Sequence, residues 1–133
     1  MAEGMFRAKV REAGLGDVIE IDSAGTGSWN VGKTPDPRAV RTAAEYGVEL
    51  SGRARQLSAA ELDDWDMLIV MDQSNYDDVL ALGAPVDKVR KLRDFDPEGP
   101  GDVPDPYYGD ESGFHETYRI IERSLPGLLD ALA

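Results

Sequence analysis

The chain has 133 residues, 41% of them hydrophobic and 30% charged, which suits one folded domain with a single core and argues against disorder. A net charge of −12 speaks against a nucleic-acid partner, since phosphate backbones need Lys and Arg, and no run approaches the roughly 18 apolar residues of a membrane helix. With no cysteine, the chain has no disulfide, no thiolate metal site and no thiol nucleophile.

In chain order, Ala2, Phe6, Val10 and Ala13 at helical spacing predict an amphipathic helix over 2–13, closing near Gly14 or Gly16. Charges at Glu3, Arg7, Lys9, Arg11 and Glu12 exclude a signal peptide there, so the cytoplasm is the expected compartment. "VIEIDSAG" (18–25) reads as a short strand, and 25–38 as a loop by its Gly, Asn and Pro content. Residues 37–46 predict a second helix with Gly47 as a left-handed stop, and Ser58 with Glu61 sits at capping-box spacing for a short helix.

"MLIVM" (67–71) is a continuous apolar run, as expected of a strand buried on both faces. A helix over about 74–82 ends at Gly83, and "VRKLRDF" (89–95) alternates as a third strand near an edge. Residues 96–113 hold too many Pro and Gly for regular structure. The last helix is predicted over 114–132, with Phe114, Tyr118, Ile121, Leu125, Leu128, Leu129 and Leu132 inward and a kink at Pro126. Alternating strands and helices imply an α/β fold: three layers, α/β/α, around a short parallel sheet. Such units start on a strand, so the pattern is one strand short at its front.

Ligands of open parallel sheets bind at the carboxyl ends of strands, beside helix amino termini. The start of the first helix, the loop after 18–25 and the loop at 96–113 should meet there. In "VPDPYYGD" (103–110), Asp105 lies between two prolines, which hold a carboxylate at low entropic cost. Tyr107 and Tyr108 could wall a pocket for a ring. The competing reading is a surface turn in which Asp and Pro are turn formers. Trp29 fits a pocket wall or a cap on the core equally well. His115, on a polar helix side, and the acidic run 61–66, with no histidine beside it, are weaker candidates. Arg38, at the start of the second helix, could bond a loop.

Five segments in order and spacing resemble the low-molecular-weight protein tyrosine phosphatases: "MAEGMFR", "IDSAGTGSW" with "DPRA", "ARQLS", "DMLIVMDQSNYDDV" and "DPYYGD". The resemblance covers nearly the whole chain as one phosphatase-like domain, 1–133. It implies that a strand and a Cys-x5-Arg-Ser-Pro loop precede the residue matched here by Met1, together about fifteen residues. That strand would be the central one of four, between 18–25 and 67–71. Without it, a gap near 10 Å wide and two unpaired edges are expected, from a strand spacing of about 4.8 Å.

The implied activity is hydrolysis of phosphotyrosine. Loop amides and a helix amino terminus hold the phosphate, a thiolate attacks phosphorus to give a phosphocysteine, and an arginine binds the equatorial oxygens. An aspartic acid protonates the leaving phenolate and then serves as base for the attacking water. By resemblance Asp105 is that acid, Trp29 and Tyr107 flank the substrate ring, and Tyr108 shapes the rim. The partner would be a phosphotyrosine protein or a small aryl phosphate, with no cofactor, metal, nucleic acid or membrane. As given, the chain lacks the nucleophile and is expected to be inactive. Arsenate reductase and protein arginine phosphatase are alternatives on the same fold, and a short, inactive relative serving as a binding module is another. Missing cysteines count against the first, and the Tyr107–Tyr108 pair against the second. The missing central strand counts against the third.

Overall fold

A computed structural model describes residues 1–27, 31–105 and 111–132. Helix α1 (Ala2–Glu12) buries Met5, Phe6 and Val10, three positions on one stripe, and ends where Gly14 turns left-handed at φ 74°. Helix α2 (Pro37–Glu45) starts on Asp36, whose carboxylate accepts the Arg38 N–H at 2.8 Å, with Pro37 preset for the first turn. Gly47, at φ 78°, follows its end. The capping pair is real: Ser58 N–H donates to Glu61 at 3.1 Å, and a 3₁₀ helix, Ala59–Asp64, follows.

Strand β1 (Leu68–Val70) runs parallel to β2 (Val89–Lys91), Leu68 opposite Val89 and Val70 opposite Lys91. Helix α3 (Gln73–Leu82) connects them, capped by Asp72, which accepts the Asn75 N–H at 2.8 Å, and stopped by Gly83 at φ 117°. Side chains around β1 divide with period two. Met67, Ile69 and Met71 pack into the core of α1, α2 and the last helix, whereas Leu68 and Val70 face Leu62, Val79 and Val89 on the α3 side. Helices therefore cover both faces of a short parallel sheet, the α/β/α layering that the element order implies.

Helix α4 (Glu111–Leu132) completes the larger core with Tyr118, Ile120, Ile121, Leu125 and Leu128, and also buries Phe114. It runs through Pro126, and Gly127 lets it close on a 3₁₀ turn, Leu92–Phe95: a Cβ there would stand 2.8 Å from the Phe95 carbonyl oxygen.

Three expectations need correction. Residues 18–24 are not a strand; they run without a ladder, and only Gly25 pairs, with Gln56. The reason is geometric: a cavity, not a strand, lies between them and β1, so no neighbouring strand is there to form a ladder. The strand over 89–95 stops at Lys91, because Asp94 turns back to accept the Lys91 N–H at 3.2 Å and closes the 3₁₀ turn. The last helix starts at Glu111, three residues earlier than its apolar pattern, since its first turn is polar.

Candidate active site

The cavity beside β1 has a volume of about 580 Å³. One wall is the open edge of β1, the opposite wall is 19–25, and the floor comes from Phe6, Ile121, Leu125 and Leu128. Its polar lining includes the first turn of α1 (Met1, Ala2, Glu3), Asp22, Ser23 and Asp105. Helix α1 has no side-chain cap, and its first intrahelical bond runs from Met5 N–H to Met1 O, so the amides of Ala2, Glu3 and Gly4 have no acceptor within the helix. Free amides at the positive end of a helix dipole suit an anion.

Asp105 reaches the cavity through anchored neighbours. Val103, buried, donates its N–H to the Met71 carbonyl at 2.7 Å, just past the carboxyl end of β1. Thr117 of α4 donates its hydroxyl to the Pro104 carbonyl at 3.2 Å. Asp105 follows directly, exposed toward the cavity. Thus Asp105 and the amino end of α1 line one cavity, at the strand end where such folds bind ligands.

Glu3 does not leave a bare negative charge there. Its carboxylate accepts Arg7 Nε at 3.0 Å and the Ser23 hydroxyl at 2.5 Å, and Arg7 also donates to the Ile21 carbonyl. Arg55 likewise spans Asp22 at 3.1 Å and Glu61 at 2.8 Å. The Ser58 N–H holds the Glu61 carboxyl down to about 2; burial opposes this, and Arg55, the Ser58 hydroxyl and the Trp65 indole add to it. Segment 53–57 pairs with Gly25 on one side and with 32–33 on the other, which closes the base of the loop between them.

Trp29, Tyr107 and Tyr108 lie outside the described residues. His115 is tied elsewhere, 3.4 Å from Glu45 and edge-on to Tyr46. In the acidic run 61–66, Glu61 serves as the cap partner of Ser58, and among the described residues no three His, Asp or Glu are grouped to hold a metal. Arg38 doubles back on its own cap, Asp36, at 2.9 Å and covers the Phe114 ring at 4.8 Å. Sequence reading missed Ser23, Thr117 and the buried Asp96 with its arginines. Thr117 sits among apolar helix positions, a faint signal of a polar group kept for a bond; the others leave no local mark.

Comparisons with known proteins bear on the family of the chain. The family model described as low molecular weight phosphotyrosine protein phosphatase matches residues 1–133. A low molecular weight protein-tyrosine-phosphatase of Streptomyces coelicolor is 42% identical over 99% of this chain and 84% of its own length. Low molecular weight protein-tyrosine phosphatase A of Mycobacterium bovis is 42% identical over 98% of this chain and 81% of its own. Among solved structures, a protein tyrosine phosphatase of Entamoeba histolytica with Hepes in its active site superposes with a TM-score of 0.93, at 30% identity over 98% of this chain and 86% of that one.

Proposed function

We propose, for a chain that belongs to the low molecular weight phosphotyrosine protein phosphatase family, a family of phosphoric monoester hydrolases, that its residues serve phosphotyrosine hydrolysis with Asp105 as general acid and base. The supporting observation is the shared cavity, which both Asp105 and the first turn of α1 line. A phosphate seated on the α1 amides would place its ester oxygen toward Asp105. From there the carboxyl could protonate the leaving phenolate and later take a proton from water. Trp29 and Tyr107 would flank the ring and Tyr108 its rim, with residues 1–133 acting as one domain. A phosphotyrosine protein or an aryl phosphate is the substrate class, and the cytoplasm the compartment, open to test by fractionation.

The reaction runs through a phosphocysteine, and these 133 residues include no cysteine. The chain by itself is therefore expected to turn over no phosphotyrosine; turnover that survives removal of contaminating phosphatases overturns the covalent route. For the acid, the experiment is Asp105→Asn in a form that carries the family's Cys-x5-Arg loop ahead of Met1. Turnover of phosphotyrosine should fall by roughly 10²–10⁴-fold. p-Nitrophenyl phosphate, whose leaving group needs little protonation, should lose far less. Equal and negligible losses on both substrates remove Asp105 from the mechanism.

A further inference from the structure

Residues 96–105 contain no helix or strand, so side chains must decide where the last of them stands. Arg93, just before this stretch, holds it from inside. Its Nε donates to Asp96 at 2.9 Å, Nη1 to the Asp102 carbonyl at 3.3 Å and Nη2 to the Glu98 carbonyl at 3.4 Å. Asp96 is the fixed point beneath it, its side chain wholly buried. Its second oxygen accepts Arg123 Nε of α4 at 2.8 Å and the Glu98 N–H at 2.9 Å.

Two glycines let the backbone close on Arg93. A Cβ on Gly99 would stand 2.3 Å from the Arg93 carbonyl oxygen, and one on Gly101, at φ 151°, 3.0 Å from Arg93 Nη1. Lys91 adds an outer tie to the Asp102 carboxylate at 2.9 Å. Immediately after this turn come Val103, Pro104 and Asp105.

We propose that Arg93 is a positioning residue for Asp105: its guanidinium is the former on which 96–102 is wound, and it sets where the acid stands against the cavity. This rests on the reading of Asp105 as proton donor. A guanidinium is suited to the task because its planar fork reaches three acceptors in fixed directions, whereas a lysine ammonium is a point charge on a flexible stem. Asp96 and Arg123 keep the fork in plane and join the turn to α4.

Arg93→Lys is the decisive variant, because it keeps a cation for Asp96 and gives up the two carbonyl contacts. In the form that carries the Cys-x5-Arg loop, phosphotyrosine turnover should fall by roughly 10- to 100-fold. Turnover of p-nitrophenyl phosphate should stay within about twofold, since its leaving group does without the proton. In an Asp105→Asn background the same change should cost nothing further. Gly101→Ala, which presses on the guanidinium most closely at Nη1 and leaves both charges of the ion pair in place, should give the same selective loss, and decides the matter if Arg93→Lys does not fold. A variant that lowers both substrates alike, or neither, while Asp105→Asn remains selective, overturns the positioning role and leaves the acid in place. If Asp105→Asn is itself unselective, both readings fall.

Discussion

The two sides of β1 teach opposite lessons. Toward β2 the strand is in register, backed by α3 and continued by the Leu92–Phe95 turn, against which α4 packs. Leu62, Ala84 and Val89 are buried there. Toward 19–25 the same strand faces a cavity, and Ile19, Ile21, Leu68 and Ile69 are only half-buried. The apolar patterns on the two sides are equally strong. What differs is whether a neighbouring backbone lies within hydrogen-bonding reach, and that alone makes one stretch a strand and leaves the other without a ladder.

Substitutions on the two sides should separate accordingly. Leu62→Ala strikes the packed side, where the side chain is 5% exposed, and should lower the unfolding free energy by about 3 kcal/mol in a urea titration. A loss below about 1 kcal/mol would mean that this side is no better packed than the other.

Acid should open the packed side next. Burial pushes the Asp96 carboxyl up, but hydrogen bonds from Arg123, the Glu98 N–H and Arg93 outweigh that and hold it at about 2. A carboxyl with a folded pKa below its ordinary value stabilises the fold fully above that ordinary value. The contribution then drains away as pH falls through the folded one. Stability should thus fall between about pH 4 and pH 2, and Glu61, also held at about 2, adds to the loss in the same range. Asp96→Asn should flatten this part of the pH profile in thermal melts; an unchanged profile would place the titrating group elsewhere.

The smallest effect belongs to the open side. Ile21→Ala removes a half-buried side chain from the cavity wall and should cost about 1 kcal/mol or less. A loss as large as that of Leu62→Ala would show that the cavity wall is packed in solution, and would erase the contrast.

Much of the fold was legible because its signals are local. Asp36 with Pro37, Ser58 with Glu61, and Asp72 with Gly83 mark element ends through bonds spanning a few residues. The period of α4 and the apolar run at 67–71 show which faces turn inward. Asp105 stood out between two prolines, although the same pattern also fits a surface turn. The clamp beneath it was not legible: Arg123 lies 27 residues from Asp96, and nothing near either residue records the pairing.

By itself, then, the sequence determined the helices, the signals at their ends and the parallel α/β class. Each of these depends on bonds or periodicities that close within a few residues. Tertiary structure alone decided that 18–24 is not a strand, that 89–95 turns after three residues, and that Arg93 organises the approach to Asp105. Those outcomes depend on which backbone or charge arrives from a distant part of the chain, because a ladder or a buried ion pair exists only when both partners are present.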